Sequence, residues 1–126
     1  MNINDNVSIE VQFEERDGYL YAFISGEKDS LSAAMKYWKH IFDQCKSRGY
    51  KKILVEENFP NQVSTMDMYT ITVEIAKMAT SDMKIAFVDR NSEHNNINAF
   101  GETVALNRGV QGRVFMIFDD AEVWLK

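Results

Sequence analysis

One cysteine, Cys45, in 126 residues excludes an intrachain disulfide and fits a reducing compartment, so a cytoplasmic location is expected. Apolar runs are also short. They extend over four to six residues, far below the ~18 needed to cross a bilayer, which excludes an integral membrane protein. Met1 to Asn6 is polar, with no basic stretch leading into an apolar one, so no secretory signal is read there and residues 1–6 are expected to be flexible. Positive charge is in deficit as well. Nineteen acidic against 14 basic residues give a net charge of −5, which opposes attraction to phosphate backbones and argues against nucleic acid as a partner. The chain also lacks a glycine-rich phosphate loop followed by lysine, a dinucleotide fingerprint, a paired-histidine zinc helix and a nucleophile elbow. These absences remove the common enzyme classes, and neither a cofactor nor a metal is expected.

The sequence holds enough apolar material, 45% of residues, for one core and a single domain over 1–126. Val7, Ile9, Val11 and Phe13 alternate with polar residues, as in a strand with one wet face. Glu15-Arg16-Asp17-Gly18 supplies a turn into Tyr19–Ile24, a more buried antiparallel partner. From Ser30 the period changes. Leu31, Ala34, Met35, Trp38, Ile41, Phe42 and Cys45 recur at three- and four-residue steps, which predicts an amphipathic helix capped by Asp29 or Ser30 and stopped at Gly49. A third strand follows over Lys52–Glu56, and a second helix from Ser64 to about Thr80. Met83–Asp89 contains the unalternating run Ile85-Ala86-Phe87-Val88 of a strand covered on both faces. A third helix carries Ile97, Phe100, Gly101, Val104 and Ala105 on one side, and Val114–Ile117 reads as the last strand. Asp119 with Glu122 then repeats a capping pattern before a short terminal helix. The reading is an α/β fold: a single mixed five-stranded sheet, mostly parallel, with an antiparallel N-terminal edge strand and about four helices.

This order and five sequence blocks resemble the STAS domains, and more closely the SpoIIAA-like bacterial proteins. The blocks are Lys52–Glu57, Ser64–Tyr69, Ile85–Arg90, Phe100–Ala105 running on to Asn107-Arg108-Gly109, and Arg113-Val114-Phe115 with Trp124-Leu125. The resemblance implies a small regulatory or binding module. In the antagonist branch of that family a serine opening the second helix is phosphorylated, and Ser64, with Thr65 beside it, is the matching position. Its neighbours differ from the antagonist pattern, with Val63 in place of the usual aspartate and Met66-Asp67 in place of a small residue. Ser64 with Asp67 also forms an ordinary helix cap, so both readings attach to the same residue.

The stretch from Lys51 to Lys77 concentrates the candidate chemistry. Parallel order brings the strand end Glu56-Glu57 beside Asp89-Arg90, a polar rim able to share a proton, hold a divalent cation, bind an anionic group through Arg90 or form a salt-bridged edge, the last being the reading favoured over a catalytic site. Helix two carries Met68, Ile71, Ile75, Met78 and Ala79 on one flank and Tyr69, Val73 and Ala76 on another, a wider apolar arc than one sheet face needs. Neighbouring helices, a second copy of the chain, a protein partner or an apolar small molecule would each cover it. Other STAS-like proteins look similar to the CRAL-TRIO lipid carriers, which open a helix to admit an apolar ligand, and the wide arc of helix two gives that analogy local support. His40 and His94 lie on polar segments without a partner motif, His94 with Glu93 and Asp89 being a weak oxygen-rich set for a metal. Cys45 reads as a packed thiol. Three functions therefore stand in order: a non-catalytic binding or regulatory module acting through the strand-three loop and helix two, a carrier of a lipid-like ligand, and an enzyme using the acidic rim.

Overall fold

Strand alternation sets the first layer of the structure, a computed structural model that describes residues 2–4 and 8–126. Asn2–Asn4 forms a short strand, β1, paired antiparallel with β2 (Ser8–Arg16). The segment expected to be flexible, 1–6, includes this strand. Its remainder, with Val7 as a strand residue, lies outside the described residues. Along β2, Ile9 and Val11 point inward and are fully buried, while Ser8, Glu10 and Gln12 are exposed. Asp17-Gly18 makes a two-residue hairpin loop to β3 (Tyr19–Gly26), with Gly18 at a φ of 83° that a side chain would resist.

Three crossovers follow: α1 (Leu31–Arg48) to β4 (Lys52–Asn58), α2 (Thr65–Met78) to β5 (Lys84–Asp89), and α3 (Asn95–Asn107) to β6 (Gln111–Phe115). Strands β3 to β6 are parallel and lie side by side in chain order, the arrangement made by right-handed crossovers to adjacent strands. The predicted mixed, mostly parallel sheet is present, with β1 added beyond its antiparallel edge. Helices α1 to α3 share one sheet face, where Ile53, Val55 and Ile85 meet Tyr37, Ile41, Ile71 and Ile75. Among the described residues the other face receives only α4 (Phe118–Leu125), whose Ala121 and Leu125 pack on Leu54, Ala86 and Val88.

Several local expectations change. On α1 the buried stripe is Ala33, Ala34, Tyr37, Trp38, Ile41, Phe42 and Cys45, and Leu31 and Met35 sit at its edge. Phe100 is exposed because α3 turns Asn98 and Gly101 inward instead. A Cβ on Gly101 would stand 2.9 Å from Met68 Sδ, so a side chain there would push the flexible Met68 side chain aside. The last strand ends at Phe115, leaving Met116 and Ile117 exposed before α4, which starts without a side-chain cap from Asp119. No helix among the described residues is long and apolar enough to cross a membrane.

Candidate functional site

Consecutive residues of a strand face opposite ways, and this divides Glu56 from Glu57. Glu56 lies on the α4 face. It accepts a hydrogen bond from Tyr21 Oη and bonds from Arg90 Nε and Nη2 at 3.1 and 3.4 Å, while the guanidinium rests 4.3 Å from the Phe23 ring centre. Burial first, and then the Glu56 bond, raise the Tyr21 hydroxyl above its ordinary range. This group is closed on itself, its carboxylate neutralised by a cation.

Glu57 and Asp89 point to the opposite face, under the helices, and pair in register at the ends of β4 and β5. There they meet Asp29, the residue before the α1 cap. Asp29 is tied in place by a reciprocal pair: its N–H donates to Asn61 Oδ1 at 2.8 Å, and Asn61 Nδ2 donates to its carbonyl at 3.0 Å. Ser30 N–H donates to Asp29 Oδ1 at 2.9 Å, while Ser30 itself caps α1 by accepting from Ala33 N–H at 3.1 Å. Asp89 accepts from Asn91 N–H at 2.9 Å, Asn98 Nδ2 at 2.9 Å and His94 Nδ1 at 3.0 Å. The imidazole's Nε2 faces Asn91 Nδ2 at 3.1 Å. Both ring nitrogens are therefore held by protein, which makes His94 a support for Asp89 and leaves it no free nitrogen for a substrate proton.

Tyr37 joins the acids. Its hydroxyl lies 3.1 and 3.0 Å from the two oxygens of Asp29 and 3.5 Å from Glu57 Oε2. A phenol has one hydrogen to donate, and the nearer Asp29 takes it. The Glu57 contact is then a hydrogen bond only when Glu57 carries a proton and donates to Tyr37. The electrostatics agree: burial, then Asp29 and Asp89, hold Glu57 well above the usual carboxylate range. Burial pushes Asp29 up to about 6. Burial, followed by the charges of Glu57 and Asp29, also raises Tyr37 well above its ordinary value.

Beside these acids lies a cavity of about 100 Å³. Met68, Ile71, Thr72 and Ile75 of α2 and Ala105 of α3 form its apolar wall above β5 and β6, and Asp29, Tyr37, Glu57 and Asn98 form its polar end. A wider surface hollow of about 520 Å³ between the C-terminal half of α1 and the end of α2 is bordered by Lys39, Lys46 and Lys51. Met78 lines that hollow and not the cavity.

Of the residues singled out in the sequence, Glu57, Met68, Ile71 and Ile75 line the cavity and Asp89 supports it through Asn98. Glu56 and Arg90 lie across the sheet. Tyr69 is on the outer side of α2, where its hydroxyl accepts from Arg108 Nη2 at 2.8 Å. Ser64 is exposed and caps α2, accepting from Asp67 N–H at 3.1 Å, with Thr65 exposed beside it. Asp29, Tyr37 and Asn98 were not anticipated as site residues. Strand alternation could have separated Glu56 from Glu57, but no local signal distinguishes a buried Asp29 from an ordinary cap. Among the described residues no group of three or more His, Cys, Asp or Glu side chains is arranged to hold a metal.

No family model matches this sequence, and no curated protein does. Among solved structures the chain is similar to an anti-sigma factor antagonist from Mycobacterium paratuberculosis, with a TM-score of 0.64 at 14% identity over 94% of this chain and 94% of that one. It is also similar to an uncharacterised DUF3478-family protein with a SpoIIAA-like fold from Shewanella loihica PV-4, with a TM-score of 0.55 at 12% identity over 100% of this chain and 99% of that one. Identities this low establish architecture alone, and by that architecture the chain has the STAS, SpoIIAA-like fold.

Proposed function

We propose that this chain is a small-ligand binding module in which α2 covers the ligand. The cavity under Met68, Ile71 and Ile75, with Glu57 and Asn98 at its polar end, is the observation that carries this reading. Ligand sites commonly combine an apolar wall with a few convergent polar groups. The volume of about 100 Å³ is smaller than the ~150 Å³ engineered cavity that takes benzene, so this state of the protein suits a ligand of roughly four or five heavy atoms. An acyl chain would require α2 to swing outward. The lipid-carrier reading therefore depends on a helix movement, whereas the small-ligand reading does not.

Xenon tests the cavity directly, because it enters apolar voids without needing a polar anchor. The methyl resonances of Met68, Ile71 and Ile75 should shift saturably under xenon pressure while those of Met66 stay put. Absence of any shift at the three cavity methyls would end the reading.

A protein partner is the second reading, favoured by the outer start of α2, where Met66 is 78% exposed and Tyr69 44%. The Mycobacterium paratuberculosis neighbour's description as an anti-sigma factor antagonist supports a regulatory surface of this kind. A phosphate on Ser64 or Thr65 would add negative charge beside these side chains at a helix start, altering the surface without touching the cavity. Phosphopeptide mapping of the protein isolated from its native cell decides this point, since an unmodified Ser64-Thr65 peptide removes the switch.

A further inference from the structure

We propose that the cavity selects a short aliphatic amine, with its ammonium group held between Glu57 and Asn98 and its alkyl chain against α2. This rests on the small-ligand reading and adds the ligand's chemistry. Glu57 and Asn98 are 9% and 5% exposed, and both line the cavity. Glu57's one side-chain bond, the 3.5 Å contact to Tyr37, uses Oε2, and Asn98's bond to Asp89 uses Nδ2. Among the described residues Glu57 Oε1 and Asn98 Oδ1 therefore accept nothing from the protein. Among the described residues every fully enclosed side-chain polar atom has a partner, so these two oxygens are not fully enclosed, and the residues that carry them line the cavity. Both are acceptors. The missing group is a donor, which an ionised carboxylate ligand cannot supply.

Charge selects an ammonium over an alcohol. Asp29 and Glu57 have no Lys or Arg partner among the described residues, and the basic members of the wider network differ in their positions. His94 is held by Asp89 and Asn91, and Arg113 is exposed at the β6 side of the cavity. A cation at the open Glu57 oxygen would neutralise the ionised carboxylate at short range. The proton balance is explicit. A neutral amine entering the cavity takes the Glu57 proton and becomes the ammonium, and an entering ammonium ion displaces that proton to solvent. The alkyl chain then lies along Ile71 and Ile75, in a space suited to roughly four or five heavy atoms.

The test uses n-propylamine, 1-propanol and sodium propionate at pH 7 and matched ionic strength, each titrated into the intact protein and followed at the Met68, Ile71 and Ile75 methyl resonances. Propylamine should bind at least tenfold more tightly than propanol, and Glu57→Gln should remove that preference while leaving propanol binding in place. In the wild type, the 13C resonance of the Glu57 carboxyl should move to its ionised position with propylamine and stay fixed with propanol, a readout independent of how the variant folds. Equal or tighter binding of propanol or propionate, or a Glu57 carboxyl that does not respond, overturns the amine assignment while the small-ligand cavity stands. If none of the three moves the cavity methyls, the amine assignment falls, and with xenon also silent the cavity reading falls with it. Shifts confined to surface acids such as Glu10 and Glu14 overturn it too.

Discussion

Replacing Asp29 by Asn should stabilise the protein at neutral pH, although the substitution removes a hydrogen-bonded carboxylate. The folded protein holds Asp29 at about 6 against an ordinary 3.8, chiefly because burial penalises its charge. Two pKa units correspond to about 3 kcal/mol. For an acid whose folded pKa is raised, the native state binds more protons than the unfolded one between the two values, so stability falls as pH rises from about 4 to about 6 and then levels off. Below about pH 4 the group is neutral in both states and costs nothing through this route. Asn is neutral throughout. Its oxygen still accepts from Ser30 N–H, and its amide can donate to Tyr37 Oη at the 3.0 Å position now held by Oδ2, so no partner is orphaned. Asp29→Asn should therefore match the wild type near pH 4 and exceed it by about 1 to 3 kcal/mol at pH 7. Urea unfolding of both proteins from pH 4 to pH 7.5 measures the difference and cancels the acid response they share. Parallel curves across that range, or a variant weaker by 1 kcal/mol or more at pH 7, would refute the burial argument.

Two further outcomes follow from the same structure. Ser64→Ala should cost about 1 kcal/mol in chemical denaturation and Ser64→Asp much less, because the exposed Ser64 contributes a cap acceptor to Asp67 N–H. Equal losses for the two would show that the hydroxyl has a role besides capping. Cys45, buried with its thiol pushed up to about 11, should resist an aromatic disulfide reagent at pH 8 and react at the rate of unfolding. Rapid labelling of the native protein would contradict its place in the α1 core.

Local signals predicted the architecture because each element carries its own pattern. Ile9 and Val11 alternate with polar residues, the Ile85–Val88 run is apolar throughout as a doubly covered strand requires, and Gly49 stops α1 at a φ of 77°. Where prediction missed, a tertiary contact outweighed a local preference. Tyr37 is not in the stripe expected of α1, yet the acids beneath the helix satisfy its hydroxyl and permit full burial. His94 stands in a polar stretch of the sequence, and it is buried because Asp89 and Asn91 engage both ring nitrogens. Met116 and Ile117 extend the apolar run of β6 in the sequence, but the chain must leave the sheet there to cross to α4. Asp29, Glu57 and Asp89 each have an ordinary local explanation as a cap or strand end. Only the crossovers bring them together.

The two faces of the sheet resolve the same problem in opposite ways, and that contrast supports the proposed binding site better than any single residue. On the α4 face, Glu56 has Arg90 and Tyr21, so its charge is matched within the protein. On the other face Asp29 and Glu57 share a buried space without a Lys or Arg partner among the described residues. Burial, and then the neighbouring carboxyls, raises their proton affinity and lowers folding stability at neutral pH. A well-packed core would replace such a group by apolar side chains at little loss. Here the uncompensated acids border an open cavity, and a ligand that brings a positive charge binds the native state alone, offsetting the same electrostatic cost that the empty protein bears. Glu57→Gln should accordingly stabilise the empty protein while weakening amine binding. That opposition between stability and affinity is what separates a ligand site from a merely imperfect core.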